Sequence, residues 1–202
     1  MSSRNAILAS LRSAQRTPAT LPEVPMFDAG LPPALDRFRE TLAQMGGTWA
    51  EMPADGDIDA MIRARYPDAK VICSAVPEVA GTRRIEEVRD PHELNDVDVG
   101  IVRAAFAVAE TGSIWLSEAE YHVNALGYLS QHLIALLDER DIIGNLHQAY
   151  HRPEFCEANY AVLMSGPSAT ADIEGVLIRG AQGVRSLTVV PVPRGIRSAS
   201  TG

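Results

Sequence analysis

Short apolar segments typical of buried strands alternate along this chain with segments of helical periodicity. The strand-like segments cover residues 48–52, 70–75, 97–103, 106–109, 113–116, 132–137, 160–164 and 187–192. Helical spacing is found at Ile58, Met61 and Ile62 and throughout 2–15, 33–45, 141–151 and 170–181. Because strands that are separated by helices and joined by short connectors tend to pair in parallel, this order predicts an α/β protein with a largely parallel sheet.

The segment between residues 97 and 137 departs from this alternation, since it holds several short strands and no obvious helix. We interpret it as an irregular antiparallel insertion on the parallel sheet. Residues 16–33 contain five prolines and predict an extended connector. The predicted organisation is an N-terminal helix and connector in residues 1–32, an α/β domain in 33–193 and a flexible tail in 194–202. The N-terminal helix is either an arm that packs on another subunit of a homo-oligomer or a free tail.

The composition limits the function classes. A chain of 202 residues with 46% hydrophobic residues can build one core without disulfides. The formal net charge of −8 argues against nucleic-acid binding, which needs a basic face. No apolar run reaches the roughly 20 residues of a membrane span, and the N-terminus lacks the apolar core of a signal peptide. We therefore expect a cytoplasmic protein whose ligand is a small molecule or another protein.

Cysteine and histidine spacing gives no metal signature. The chain has only Cys73 and Cys156, fewer thiolates than an iron–sulfur cluster needs, and their spacing is not that of a zinc site. We expect Cys73 to be a buried thiol in a strand. His147 and His151 would share a helix face, but the glutamate of zinc proteases does not follow His147. We expect neither a metal nor a cofactor to be bound by this chain.

The first candidate site is the turn at residues 109–113, where Glu110 lies between apolar segments. A buried carboxylate is costly unless it is paired or used, and burial raises its pKa. That environment would suit a general acid or base, or a carboxylate nucleophile. The competing interpretation is that Glu110 caps backbone N–H groups in a tight turn. We expect His132 to line the same cleft.

The second candidate site is the loop at residues 165–170, between the strand 160–164 and the helix 170–181. Such strand-to-helix turns bind ligands in α/β proteins, because backbone N–H groups are exposed there. We expect Gly180 or Gly183 to end this helix in the left-handed C-cap position. The ligand would be a small carboxylate or phosphorylated molecule, and the predicted binding residues are Thr111, Gly112, Gly166, Ser168, Thr170 and Asp172. The alternative is a helix that is capped by Ser168 or Thr170 and binds nothing.

These motifs together resemble the LUD-domain family, which includes lactate-utilisation protein C. The matching pieces are Ala109-Glu110-Thr111-Gly112-Ser113, Ser165-Gly166-Pro167-Ser168, Thr170-Ala171-Asp172-Ile173-Glu174 and Gly180-Ala181-Gln182-Gly183. Their order and spacing agree across residues 97–193. Members of the family usually carry an arginine where this chain has Ala169 and a histidine where it has Gln182.

The resemblance implies a Rossmann-like parallel sheet of the isomerase and CoA-transferase-like group. It also implies a role in the oxidation of L-lactate to pyruvate beside iron–sulfur partner proteins, which would hold the clusters. Two other functions stay open on the residues alone. One is a stand-alone enzyme that uses Glu110 as base or nucleophile, and the other is a regulatory module that binds a small anion at residues 166–170.

Overall fold

A computed structural model describes residues 3–14, 20–172 and 174–195. Its α-helices are α1 (Ser3–Ser13), α2 (Ala34–Gln44), α3 (Ile58–Arg65), α4 (Glu118–Tyr121), α5 (Leu126–Leu129), α6 (Leu146–Tyr150) and α7 (Pro153–Glu157). Its first six strands are β1 (Thr48–Trp49), β2 (Ile72–Ser74), β3 (Arg83–Arg84), β4 (Val99–Arg103), β5 (Phe106–Val108) and β6 (Ser113–Ser117). The others are β7 (His132–Leu137), β8 (Ile142–Ile143), β9 (Ala161–Met164), β10 (Ala169–Thr170), β11 (Ile178–Arg179) and β12 (Ser186–Pro191).

A parallel sheet of six strands, in the order β1-β12-β7-β4-β2-β3, forms the centre of the fold. Its middle strands are continuous apolar runs, and the residues from Leu133 to Leu137 in β7 are fully buried. Such runs form strands that are covered on both faces, because each side chain can be buried whichever way it points. The predicted α/β class with a largely parallel sheet is confirmed.

A second sheet of four strands, in the order β8-β5-β6-β9, carries the antiparallel part of the fold. In this sheet β6 is antiparallel to both β5 and β9, and β8 is parallel to β5. The antiparallel insertion predicted over residues 97–137 is therefore present only in β5 and β6. The strands β4 and β7 of the same segment belong to the parallel sheet, and the segment also contains the short helices α4 and α5. The strand 160–164, which we expected in the parallel sheet, belongs to this second sheet.

Two predicted helices are wrong, wholly or in part. Residues 170–181 form no helix in their described part, because β10 pairs with β11 as an antiparallel hairpin. A helix there would need a buried face, but Val176 and Leu177 are exposed, and Gly175 has a positive φ of 70°. In the segment 141–151 the first residues form β8, and only Leu146–Tyr150 is helical.

The N-terminal helix is present as α1, and none of its residues is buried. The connector that follows is held to the domain by Asn145, whose Nδ2 donates to the backbone oxygens of Met26 and Phe27 at 2.8 and 3.0 Å. The packing of α1 on another subunit stays a prediction. The predicted tail at 194–202 lies mostly outside the described residues. No helix in the described part of the chain is both long and apolar enough to cross a membrane.

Candidate functional site

The carboxyl ends of the parallel strands border a cleft of about 220 Å³. Open α/β sheets bind ligands at this edge, because the loops that follow the strands leave a crevice there. We call it the carboxyl-edge cleft. Its polar side chains come from β4, from α4 and the residue that follows it, and from the loop after β12. They are Arg103, Glu120, His122 and Arg194.

Arg103, the last residue of β4, is held by an ion pair behind this cleft. Its Nη2 donates to Oε1 of Glu78 at 2.6 Å, and its Nη1 donates to the carbonyl oxygen of Val192 at 2.8 Å. Both side chains are largely buried, with 15% of Arg103 and 8% of Glu78 exposed. The other carboxylate oxygen of Glu78 is buried and has no partner among the described residues. The pair therefore fixes the guanidinium at the cleft and leaves one buried acceptor unsatisfied.

Arg194 is fixed from the other side of the cleft by two aspartates. Its backbone N–H donates to Asp138 at 2.8 Å, its Nε donates to Asp141 at 2.8 Å, and its Nη2 donates to the carbonyl oxygen of Ala105 at 2.7 Å. The Arg140 guanidinium and the backbone N–H groups of Arg194 and Arg140 hold the pKa of the buried Asp138 well below its usual range. Asp138 therefore stays ionised and anchors the loop that carries Arg194.

His122 enters the cleft in a strained backbone conformation. It follows α4 and has φ 58° and ψ −45°, a combination that L residues rarely adopt. Such strain costs about 1–3 kcal/mol and is concentrated at functional sites. The helix before it is fixed by a capping box, in which Glu120 accepts the N–H of Ser117 at 2.7 Å. The imidazole is exposed and makes no hydrogen bond to any residue that the structure describes.

The chemistry of this cleft follows from its charges. Arg103 and Arg194 are cations whose guanidinium groups keep N–H donors beyond the bonds described above, since each has five. Oε2 of Glu120 accepts hydrogen bonds from the backbone N–H and the hydroxyl of Ser117, and both arginines are already paired with carboxylates, Arg103 with Glu78 and Arg194 with Asp141. The remaining guanidinium N–H groups can donate to a small carboxylate, and His122 is the one imidazole among the described side chains of the lining.

Glu118 gives a pH test of how α4 is anchored. Its carboxylate accepts N–H groups of Asn159 and Tyr160 at 2.9 and 3.0 Å, and these bonds lower its pKa to about 2. A carboxyl whose pKa is lowered by folding stabilises the native state above its ordinary value of 4.5, and this contribution is lost as the pH falls toward about 2. We expect Glu118→Gln to lose less stability than the wild type between about pH 6 and about pH 3.

Urea unfolding of both proteins at the two pH values measures this difference. Glu157→Gln is the matched control, because Glu157 is exposed and makes no hydrogen bond within the described residues. It should show the acid sensitivity of the wild type. If Glu118→Gln and the wild type lose the same stability between the two pH values, Glu118 is not the anchor of α4.

The predicted catalytic residue Glu110 lies elsewhere. It is exposed, so the expectation of a carboxylate enclosed between apolar strands is wrong. Its Oε2 accepts the N–H of Leu146 at 3.0 Å, at the start of α6. It also lines a cavity of about 750 Å³ between the connector, α2 and α6. The capping interaction is the competing interpretation given above, and a catalytic role for Glu110 stays a prediction.

The predicted turns at Gly112 and Gly166 both approach the end of α2. A Cβ added at Gly112 would lie 2.5 Å from the backbone nitrogen of Leu42, and one added at Gly166 would meet the carbonyl oxygen of Met45. Both glycines have positive φ, 63° and 71°. Thr111, beside the first turn, shares a 2.5 Å hydrogen bond with the hydroxyl of Ser113. The two turns therefore pack closely against the carboxyl-terminal end of α2 at Gly112 and Gly166.

The remaining predicted binding residues do not share a cavity with Glu110. Gly166 and Ser168 line a separate cavity of about 270 Å³ with Gln182 and Gly183. Thr170 lies in β10, where its hydroxyl accepts the N–H of the exposed Asp172 at 3.3 Å. The structure thus places the two sequence motifs in different cavities, and ligand binding by either one stays a prediction.

Sequence reasoning assigned none of the polar residues of the carboxyl-edge cleft to a site. Arg103 ends a predicted strand, and a charged residue at the carboxyl end of a parallel strand is a signal that the sequence offered. Glu78 and Arg194 gave no such signal, because they lie in loops far apart in the sequence. His132 lies at the opposite edge of the sheet, so the expectation that it shares a cleft with Glu110 is wrong.

Three comparisons with known proteins relate this chain to others. A family model described as the LUD domain matches residues 35–192. Lactate utilization protein C of Deinococcus radiodurans is 28% identical over 78% of this chain and 79% of its own length. An uncharacterized protein of Neisseria meningitidis serogroup B is 26% identical over 77% of this chain and 65% of its own length, so the chain spans slightly less than two thirds of that relative. The crystal structure of a DUF162 family protein from Deinococcus radiodurans superposes with a TM-score of 0.58 at 19% identity, covering 79% of this chain and 96% of that one.

Proposed function

Since the chain belongs to the LUD domain family, we propose that it is a cytoplasmic subunit that takes part in the oxidation of L-lactate to pyruvate with iron–sulfur partner proteins. The observation that carries this proposal is the family match over residues 35–192, together with the similarity to a protein named lactate utilization protein C. The carboxyl-edge cleft supports it independently, because its cationic side chains suit a small carboxylate.

The oxidation of a secondary alcohol to a ketone releases two electrons and two protons, so an electron acceptor is needed. Cys73 is buried in β2, and burial raises the pKa of its thiol to about 11. Cys156 is exposed on α7, in another part of the fold. Two separated thiols cannot hold a cluster, which supports the proposal that iron–sulfur clusters belong to partner subunits.

The carboxyl-edge cleft is the substrate site in this proposal. Arg103 and Arg194 bind the carboxylate of L-lactate, since guanidinium groups pair with carboxylates through two parallel hydrogen bonds. His122 accepts the proton of the substrate hydroxyl, because a neutral imidazole is a suitable base near neutral pH. The ketone forms as the C–H bond of the same carbon breaks; its proton would go to solvent, and its electron pair would pass, one electron at a time, to the iron–sulfur clusters that the partners would hold.

The test is L-lactate-dependent reduction of a dye by the assembly purified through the tagged chain from its native host. We expect His122→Gln to lower kcat by about 100-fold, the usual contribution of a general base. His151→Gln is the matched control, because His151 is exposed and does not line the cleft. Full activity in His122→Gln, with an unfolding midpoint equal to that of the control, would remove the proposed base.

The cavity beside Glu110 favours a second candidate function, a stand-alone enzyme. Its volume of about 750 Å³ is in the range of small-molecule sites. Asp36, Glu40 and Glu110 outnumber Arg37 in its lining and give it an acidic character, which disfavours lactate and suits a different substrate. Loss of activity in Glu110→Gln with full activity in His122→Gln would favour this function over the first.

A further inference from the structure

A second polar pocket lies at the amino edge of the parallel sheet, opposite the carboxyl-edge cleft. Its centre is formed by His132 and Ser186, the first residues of β7 and β12, which are direct cross-strand neighbours. His132 Nδ1 lies 2.8 Å from Ser186 Oγ. The hydroxyl of Tyr66, after α3, lies 3.1 Å from the same oxygen, and the Tyr66 ring stacks on the imidazole at a centroid distance of 4.5 Å. The imidazole is thus held in place by both a hydrogen bond and a stacked ring.

This chain of hydroxyls can fix the tautomer of His132. When Tyr66 donates to Ser186 and Ser186 donates to Nδ1, the ring proton lies on Nε2. Nε2 then becomes a donor, and it makes no hydrogen bond to any described residue. A ligand that approaches this nitrogen must therefore supply an acceptor.

Two arginines line the same pocket, which has a volume of about 300 Å³. Arg65 ends α3 and Arg185 precedes β12, and neither forms an ion pair within residues 3–14, 20–172 and 174–195. Burial and the charge of Arg185 lower the pKa of His132, so its neutral form prevails near neutral pH.

Two carboxylates, Asp68 and Asp98, also line this pocket. One oxygen of Asp98 already accepts the backbone N–H groups of Lys70 and Val71, at 2.7 and 2.9 Å. The exposed Asp68 offers only an acceptor. The donors of the pocket without a hydrogen bond among the described residues therefore include the two guanidinium groups, the imidazole N–H and the side-chain amide of Gln131.

We propose that this amino-edge pocket binds the phosphate group of a small molecule through Arg65, Arg185 and the Nε2–H of His132. A phosphate carries three acceptor oxygens that point in different directions, which matches three donors from separate elements better than a planar carboxylate does. The pocket is larger than inorganic phosphate requires, so the ligand has a body beyond the phosphate group. Because the pocket lies at the opposite edge of the sheet, this inference does not depend on the proposed oxidation of lactate.

The experiment follows the His132 ring nitrogens by NMR in the 15N-histidine-labelled full chain, at constant pH and ionic strength. Inorganic phosphate, a sugar phosphate and acetate are the three titrants, and His132→Gln assigns the resonances. We expect a saturable shift with both phosphates and at least about tenfold weaker binding in Arg65→Gln and in Arg185→Gln. Both arginines are exposed, so these variants should remain folded. Arg63→Gln is the control, because it removes an exposed arginine of the same helix that does not line the pocket.

Tighter binding of the sugar phosphate than of inorganic phosphate would support the proposal in full. Equal binding of the two phosphates would support the phosphate site and overturn the inference that the ligand has a larger body. The proposal is overturned if no titrant gives a saturable shift, if acetate binds as well as phosphate, or if Arg63→Gln weakens binding as much as Arg65→Gln.

Discussion

Replacing Gly112 by alanine is expected to destabilise the protein by about 3 kcal/mol, from backbone strain and steric overlap together. The residue has φ 63°, which costs an L side chain about 1–2 kcal/mol. Its Cβ would also lie 2.5 Å from the backbone nitrogen of Leu42 and 2.5 Å from the carbonyl carbon of Thr41. Thr41 and Leu42 lie on the buried face of α2, and their backbone atoms cannot move aside as the end of a flexible side chain can. The overlap would therefore push α2 away from the turn and strain the 2.7 Å bond from Thr41 Oγ1 to the carbonyl oxygen of Ala109.

Urea unfolding of Gly112→Ala and Gly175→Ala separates strain from overlap. Gly175 has a similar φ of 70°, but no atom lies within 4 Å of a Cβ added there. The control should therefore lose only about 1–2 kcal/mol of stability, which is the cost of the backbone strain alone. Equal losses in the two variants would show that the turn does not contact α2 as closely as described.

Replacing Arg103 by methionine is expected to cost about 3–5 kcal/mol, because it leaves the buried carboxylate of Glu78 without its partner. One oxygen of Glu78 already lacks a partner among the described residues, and the substitution would orphan the other as well. The change also removes the 2.8 Å hydrogen bond to the carbonyl oxygen of Val192, which ties the residue after β12 to the end of β4 across the intervening β7.

The double variant Arg103→Met with Glu78→Leu tests this explanation. Removing both charges removes the desolvation cost of the lone carboxylate, so we expect the double variant to be more stable than Arg103→Met alone. The measurement is a double-mutant cycle, in which the denaturant midpoints of the wild type, both single variants and the double variant are compared. If the stability losses of the two single variants add up to the loss in the double variant, the two side chains do not interact.

The central sheet could be predicted from the sequence because burial on both faces produces continuous apolar runs. Residues 132–137 and 187–192 are such runs, and β7 and β12 occur there with bounds that agree to about one residue. The helix at 33–45 was equally clear, since Phe38 and Leu42 are spaced for one face and both are fully buried.

The hairpin at β10 and β11 could not be predicted in the same way. The sequence of this segment offers apolar residues at helical spacing, but spacing alone does not say whether another element covers them. Here Val176 and Leu177 remain exposed, so no burial energy favours a helix. The strand at 160–164 shows the same limit, since its apolar run does not specify which of two sheets it joins.

The carboxyl-edge cleft could be predicted only in part. Its polar residues come from the end of β4, from α4 and the residue after it, and from the loop after β12, and the sheet order brings the ends of β4 and β12 to the same edge. Because β12 pairs with β7, which in turn pairs with β4, Arg194 and Arg103 meet at one edge despite their distance in sequence. Sequence motifs show residues that are near each other along the chain, and this cleft is built from residues that are not.

The most direct test of the proposed function is affinity purification of the tagged full chain from its native host, with partner identification, iron quantification and an assay for L-lactate-dependent dye reduction. The account predicts co-purification of cysteine-rich proteins with stoichiometric iron, and dye reduction that requires L-lactate. Recovery of the chain alone and free of iron, with no reduction on addition of L-lactate, would contradict it.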